Sequence, residues 1–203
     1  MIKYMVLCSE GNDARIKNVE IMKQQIPELV VVMSNRGNVF DNHIKAFNLE
    51  PEYDGLVMLE DDVQLCKNFK ERVEECVNRH KGEVISMFES ACSRKPLHSE
   101  YRNGWKFAWN QCKYYPRSIC KIFADKDWME PFKEYFFTKL HEPWNYPIDK
   151  YQAFVLGTCG ISYWMEVPFF VQHLSLESNF KGRPTNRQSK YFIDDLGDEM
   201  NGQ

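Results

Sequence analysis

The stretch from Leu56 to Asp62 constrains this chain most, because four apolar residues run directly into three acids. An apolar run of that length, ended by polar residues, is typical of a buried strand in a parallel sheet. Glu60, Asp61 and Asp62 then fall at the carboxyl end of the strand, where open α/β sheets bind ligands. Crowded carboxylates repel one another, and a divalent cation would relieve the repulsion. Oxygen ligands suit Mg²⁺ or Mn²⁺, and a solvated acidic turn is the simpler alternative.

Alternating strand and helix patterns in the first 90 residues predict βαβ units. Apolar runs predict strands over residues 4–8, 29–33, 56–59 and 84–88. Helical spacing of apolar residues predicts helices over residues 14–25, 39–48 and 67–80. Asp13 is the expected N-cap of the first of these helices. In the second half of the chain, the sequence predicts a helix from Pro116 to about residue 131 and a loop over 141–147. It then predicts a helix over 148–156, a strand over 159–165 and extended chain from Pro168.

The predicted fold class is therefore α/β, with a mostly parallel central sheet flanked by helices. A chain of 203 residues is long enough for one well-packed domain. We expect residues 194–203 to form an acidic tail outside this domain.

The composition favours a protein of a reducing compartment. Seven cysteines, an odd number without a CxxC pair, argue against a disulfide framework and against a zinc site. No stretch approaches the roughly 20 apolar residues of a membrane span, and the N-terminal apolar run lacks a signal-peptide cleavage site. We expect no membrane partner and a cytoplasmic location.

Charge is unevenly distributed around a net value of −3. Residues 91–124 carry seven basic side chains against one acid, and residues 181–191 carry four and no acid. This asymmetry indicates anionic ligands, with solvated surface charge as the alternative for either segment alone. Six aromatic residues lie among the cations of the first segment, at Tyr101, Trp105, Phe107, Trp109, Tyr114 and Tyr115. Their interleaving suits sugar stacking or nucleic-acid binding, whereas core packing is the usual fate of a single aromatic residue.

An acid cluster at a strand end and a basic C-terminal segment suit an enzyme that holds a nucleoside diphosphate through a metal. Met58–Asp62 (MLEDD) resembles the acidic DXD-type motif of GT-A glycosyltransferases, in the variant frequent among bacterial and phage members. Residues 168–174 (PFFVQHL) are similar to a Pro-Ser-Leu-Val-Gln-His segment of small members, with two phenylalanines replacing Ser-Leu. An Arg-rich run over 182–190 and a Tyr146–Asp149 segment extend the resemblance over most of the chain.

The resemblance implies a GT-A-like fold and a role for each matching residue. Residues 1–90 would form the nucleotide-binding half, and residues 91–193 the acceptor-side half with a C-terminal segment for the metal and the diphosphate. Asp62 and His173 would bind the metal, although packing is the usual fate of a lone histidine. Glu60 would contact the metal's water or the ribose, and Asp61 would orient either of them or touch the donor sugar. Asp149 would be the general base of an inverting reaction, with helix capping as its alternative. The nucleotide and its diphosphate would be held by Ser9, Arg15, Arg183, Arg187 and Lys190.

The activity implied is transfer of a sugar from a nucleotide-sugar, a UDP-sugar above all, to a hydroxyl acceptor with Mn²⁺ or Mg²⁺. Small phage enzymes that resemble this chain include glycosyltransferases acting on hydroxymethylated pyrimidines in DNA, which suggests a DNA acceptor bound through residues 91–124 in a host cytoplasm. A base in duplex DNA must be flipped out for such chemistry. A saccharide or protein acceptor, a metal-dependent nucleotidyltransferase or nuclease, and a non-catalytic nucleic-acid-binding module remain alternatives. The sequence leaves the oligomeric state open.

Overall fold

The computed structural model describes residues 1–34, 39–49, 54–81, 83–87, 105–107, 120–123, 129–139, 148–159, 163–166, 168–174, 176 and 192. The helices within these ranges are α1 (Asp13–Gln25), α2 (Val39–Asn48), α3 (Phe69–Arg79), α4 (Met129–Lys139) and α5 (Ile148–Thr158). The strands are β1 (Ile2–Ser9), β2 (Val30–Ser34), β3 (Gly55–Glu60), β4 (Val63–Leu65), β5 (Val84–Ser86), β6 (Trp105–Phe107), β7 (Cys120–Phe123), β8 (Tyr163–Met165) and β9 (Val171–His173).

Seven strands from both halves of the chain form one sheet, in the order β2-β1-β3-β7-β5-β8-β6. Strand β1 pairs in parallel with β2 and β3, and β5 pairs in parallel with β8. Strand β7 enters antiparallel between β3 and β5, and β6 is antiparallel to β8. The predicted α/β class is confirmed, while the parallel character holds for the βαβ half of the sheet and not for β6 and β7.

Helices cover both faces of the sheet, which explains why β1 is apolar at consecutive positions. Tyr4 and Val6 belong to a core cluster with residues of α1 and α3. Met5 and Leu7 belong to a second cluster with residues of α2, α4 and α5. Each such buried side chain contributes roughly 1.5–3 kcal/mol of apolar burial, so both faces of the sheet are firmly held.

Two local predictions are wrong. The helix expected from Pro116 is replaced over Cys120–Phe123 by strand β7, because pairing with β3 and β5 outweighs the local start signal of the proline. The N-cap of α1 is Asn12 rather than Asp13, and its side-chain oxygen accepts a hydrogen bond from the Arg15 backbone N–H at 3.3 Å. Helix α4 and strand β4 were not predicted.

Among the helices of the described segments, none has the length and apolar character needed to cross a membrane.

Candidate active site

The acidic stretch lies where the sequence places it, at the carboxyl end of a central strand. Strand β3 ends at Glu60, which is in register with Leu7 of the neighbouring parallel strand. Asp61 and Asp62 form a turn that leads into β4. Both aspartates are buried, at 2% exposure, so the simple alternative of a solvated acidic turn does not describe them.

Strand β9 brings a distant segment to the acids. It pairs antiparallel with β4 and sets His173 opposite Val63, and the Leu174 N–H donates to the Asp62 carbonyl at 2.7 Å. His173 Nε2 lies 3.4 Å from Asp62 Oδ2, and the histidine is 5% exposed. The structure therefore brings together the two residues expected from the sequence to share a metal.

Two phenylalanines anchor the segment that carries His173. Phe169 packs in the core cluster on the α2 and α5 face of the sheet, whereas Phe170 packs in the cluster on the α1 and α3 face. The Cys66 N–H donates to the Phe170 carbonyl at 2.9 Å. These two bulky side chains therefore fix the backbone just before the histidine.

Arg15 of α1 is the cation nearest the acids among the described contacts. Its Nη2 donates to Asp62 Oδ2 at 2.5 Å, and its Nη1 donates to Asp61 Oδ1. The arginine side chain is 11% exposed and each aspartate side chain 3%. One largely buried guanidinium thus bridges both carboxylates.

The acidic turn is also held by groups that the sequence interpretation did not assign to it. The Ser9 backbone N–H donates to Asp61 Oδ2 at 3.1 Å, so Ser9 acts here through its main chain. Buried Asn18 donates from Nδ2 to the carbonyl of Asp61 at 3.0 Å and to that of Val63 at 2.8 Å. The one signal for Asn18 in the sequence was a polar residue on the apolar face of a helix, one turn after Arg15.

Burial and charge shift the ionisation of this cluster. Burial raises the pKa of Asp61, and the neighbouring Asp62 raises it further, against the opposing effect of Arg15. Burial and the carboxylate of Asp61 also raise the pKa of the Cys8 thiol to about 12. Burial would lower the pKa of Arg15, but the two aspartates outweigh it and raise that pKa. The arginine therefore stays charged and the thiol neutral.

The donor set fits a divalent cation. Asp62 Oδ1 is buried and has no hydrogen-bond partner among the described residues, although a buried acceptor left unsatisfied costs about 1–3 kcal/mol. Its other oxygen faces Arg15 and His173. Carboxylate oxygen and imidazole nitrogen are ligands that Mn²⁺ accepts, and carboxylate oxygen suits Mg²⁺. The geometry therefore leaves one oxygen of Asp62 available for a metal.

The remaining predicted site residues are placed in part or not at all. Glu60 is the half-buried last residue of β3, and Asp149 is the second residue of α5. Of the segment 91–124, the structure describes β6, β7 and the side chains of Ile122 and Phe123, both buried. The residues expected at the diphosphate lie outside the described part of the chain, namely Arg183, Arg187 and Lys190.

Comparison with known proteins gives a likeness of fold. No protein-family model matches the sequence, and no curated protein matches it significantly. A197 from STIV matches with a TM-score of 0.53 and 12% identity over 92% of both chains. The galactosyltransferase LgtC, solved with donor and acceptor sugar analogues, matches with a TM-score of 0.45 and 10% identity over 80% of this chain and 73% of that one. A Bacillus anthracis protein described as a glucose-1-phosphate thymidylyltransferase matches with a TM-score of 0.44 and 12% identity over 85% and 89%.

Sequence identities this low are evidence for the fold alone. The reaction has to be inferred from the residues of the site. The likeness to A197 extends over nearly the whole of both chains. The α/β fold class expected from the sequence is therefore supported both by the strands and helices of this chain and by a likeness to a solved structure.

Proposed function

We propose that this chain is a metal-dependent glycosyltransferase that moves a sugar from a nucleotide-sugar, with UDP as the expected nucleotide, to a hydroxyl acceptor. One observation carries the proposal. Two buried aspartates at the carboxyl end of β3 meet an imidazole from β9, with Asp62 Oδ2 and His173 Nε2 3.4 Å apart. Ligand sites of open α/β sheets lie at this edge, and a buried acid–imidazole pair with an unsatisfied oxygen suits a metal there.

In this proposal Asp62 and His173 hold Mn²⁺ or Mg²⁺, with Glu60 beside them at the metal's water or the ribose. The bound ion supplies positive charge that neutralises a departing diphosphate. Arg15 and the Ser9 N–H keep Asp61 in place, which preserves the shape of the acidic turn.

The basic residues of the C-terminal segment contact the diphosphate directly in the proposed complex. Lysine and arginine stabilise charge that develops on a leaving phosphate, and arginine does so with paired hydrogen bonds. The residues assigned this role are Arg183, Arg187 and Lys190.

Asp149, in the first turn of α5, is the proposed general base that takes the proton of the acceptor hydroxyl. We propose a hydroxymethylated pyrimidine in phage DNA as the acceptor, reached in a host cytoplasm and bound through residues 91–124. The support for DNA is the interleaving of aromatic and basic residues in that segment. A saccharide or protein acceptor would keep the same donor chemistry.

The test is mass spectrometry after incubation with Mn²⁺ and a panel of sugar nucleotides. The acceptors are DNA with and without hydroxymethylated pyrimidines, together with simple saccharides. We expect a mass gain of one sugar on an acceptor and release of a nucleoside diphosphate. Release of pyrophosphate, or cut DNA with no sugar transferred, would establish a nucleotidyltransferase or nuclease instead. Salt-sensitive DNA binding that ignores both Mn²⁺ and Asp62→Ala would establish a non-catalytic binding module.

Two matched substitutions separate the site from general charge effects. Asp62→Asn removes one charge from the proposed metal ligand and should lower transfer by about 100-fold or more. Asp13→Asn removes the same charge from an exposed position in the first turn of α1, and transfer should be unchanged. Equal activity of the two variants would contradict the assignment of Asp62.

A further inference from the structure

A second cluster of ligand-type side chains lies apart from the acidic turn, where α3 meets the end of β8. Cys76 and His80 are four residues apart and therefore project from the same side of α3 and its C-terminal cap. Glu166 follows β8 and is fixed by its backbone N–H, which donates to the Ser86 carbonyl at 3.1 Å. One sulfur, one ring nitrogen and one carboxylate oxygen of this trio all lie within 4.8 Å of one another.

Neighbouring groups orient the imidazole. Nδ1 of His80 lies 3.1 Å from Glu83 Oε2, and the ring lies against Trp164 with centroids 4.5 Å apart. If Nδ1 carries the ring proton, that proton is donated to Glu83 and the lone pair of Nε2 faces inward. Nε2 lies 3.4 Å from Glu166 Oε2. Carboxylate partners on the far nitrogen are the usual support of a metal-bound histidine.

Glu166 is held in the same way. Arg79 Nη2 donates to Oε1 at 2.6 Å, and Trp164 Nε1 donates to Oε2 at 3.2 Å. Oε2 is therefore the oxygen that faces His80, and Oε1 is fixed by the guanidinium. Cys76 is fully buried and Glu166 is 5% exposed, so the donors converge in a largely dry place.

With the ring proton on Nδ1, Nε2 of His80 and Oε2 of Glu166 present lone pairs to each other 3.4 Å apart. A cation between these two acceptor atoms would satisfy both. With Zn²⁺ bound to the thiolate of Cys76, the formal charges of the ion, the thiolate, Arg79, Glu83 and Glu166 sum to zero. Thiolate, imidazole and carboxylate are the ligands that Zn²⁺ takes in proteins.

We propose that Cys76 Sγ, His80 Nε2 and Glu166 Oε2 form a Zn²⁺ site, with water as the fourth ligand. Zinc displaces the thiol proton to solvent and gains a thiolate–metal bond. Because burial and Glu166 raise the pKa of that thiol, it is protonated when no cation is bound. The site joins α3 to β8, two elements far apart in the sequence, and it is independent of the proposed donor site.

A search for paired cysteines misses this arrangement. The ligands are Cys-x-x-x-His on one helix and a glutamate more than eighty residues later. Structural zinc sites are most often recognised from CxxC pairs, which this chain lacks. Only the packing of β8 beside β5 reveals the trio, since it sets Ile85 opposite Trp164 and brings Glu166 to the end of α3.

The test uses the full chain carrying Asp62→Ala, so that the acidic turn does not contribute. After chelator treatment, Co²⁺ should produce a thiolate-to-metal charge-transfer band that one equivalent of Zn²⁺ abolishes. Cys76→Ser should remove the band. Cys66→Ser should retain it, because Cys66 is an equally buried cysteine of the same core cluster but lies outside the trio. Absence of the band, or a band unchanged by Cys76→Ser, would overturn the proposal.

Two further variants keep the test decisive if the buried Cys76→Ser variant does not fold. His80→Gln replaces a partly exposed ligand and should abolish stoichiometric Zn²⁺ binding, measured by competition with a chromophoric chelator. Glu83→Gln should lower the affinity for Zn²⁺ by about 10–100-fold, because Glu83 orients the imidazole and does not bind the ion. Zinc affinity that neither substitution changes would refute the site.

Discussion

The bridge that Arg15 forms between Asp61 and Asp62 can be tested by Arg15→Met, which keeps an unbranched side chain and removes the guanidinium with its charge. The guanidinium is 11% exposed and contacts two carboxylates that are 3% exposed. Removing one partner of a buried ion pair leaves the other charge uncompensated and costs about 3–5 kcal/mol. A single pair at about 4 Å, with an effective dielectric constant of about 20, gives about 4 kcal/mol, so the two magnitudes agree.

Lys23→Met is the matched control on the same helix. Lys23 pairs with Glu20 at 2.8 Å, but the two side chains are 37% and 63% exposed. Solvent-exposed pairs of this kind contribute about 0.2–1 kcal/mol, so the control should lose less than about 1 kcal/mol of unfolding free energy. The difference between the two variants therefore measures the burial of Arg15 and its partners, not the general effect of losing a cation from α1.

Urea unfolding with EDTA measures the stability lost with the ion pairs, and urea unfolding with Mn²⁺ measures how much of that loss the cation restores. With EDTA, Arg15→Met should be less stable than the wild type by about 3–5 kcal/mol. Mn²⁺ should stabilise the variant more than the wild type, because the cation replaces the lost guanidinium; at 100 times Kd a ligand adds about 2.7 kcal/mol. A loss with EDTA no larger than that of Lys23→Met would refute the buried bridge. Failure of Mn²⁺ to stabilise either protein would refute the metal assignment.

Three other outcomes are expected. Asn18→Ala should lower the unfolding free energy by about 1–3 kcal/mol and weaken the binding of Mn²⁺, because the carbonyls of Asp61 and Val63 lose a buried donor. An unchanged urea midpoint and an unchanged Mn²⁺ affinity would contradict this. Between pH 9.0, the ordinary pKa of the Cys8 thiol, and about 12, its pKa in the folded protein, Cys8 ionises in the unfolded chain but not in the folded one, so stability should fall as pH rises. Cys8→Ala should reduce that slope by up to about 1.4 kcal/mol per pH unit, and an equal pH dependence of stability in the two proteins would contradict this. His173→Ala should weaken the dependence of transfer on Mn²⁺ while circular dichroism stays native, and loss of the fold would make His173 structural.

The first half of the fold could be predicted from the sequence because its elements are long and strongly patterned. Helix α2 was expected over residues 39–48 and is found at Val39–Asn48. The run from Leu56 to Leu59 predicts β3 correctly because strands buried on both faces are continuously apolar. In these segments local pattern and tertiary packing favour the same structure.

The short strands show where local pattern fails. Strand β7 has four residues, and its partners β3 and β5 precede it by dozens of residues. Strands β4 and β9 have three residues each, which is too short for an alternation of apolar and polar side chains to be detected. Pairing between such short strands brings His173 to Asp62, so the distance between them could not be derived from periodicity.

The charge around the acidic turn leads to a last prediction about the order of binding. Asp61 and Asp62 carry two negative charges against the one positive charge of Arg15, and half-buried Glu60 adds to the excess. A diphosphate is itself an anion, so this site repels it until a divalent cation neutralises the excess negative charge. UDP should therefore bind at least about tenfold more tightly with Mn²⁺ than with EDTA, which corresponds to about 1.4 kcal/mol. Equal UDP affinities in the two conditions, measured by titration calorimetry, would mean that the diphosphate lies away from Asp62, and the proposed donor site would then be wrong.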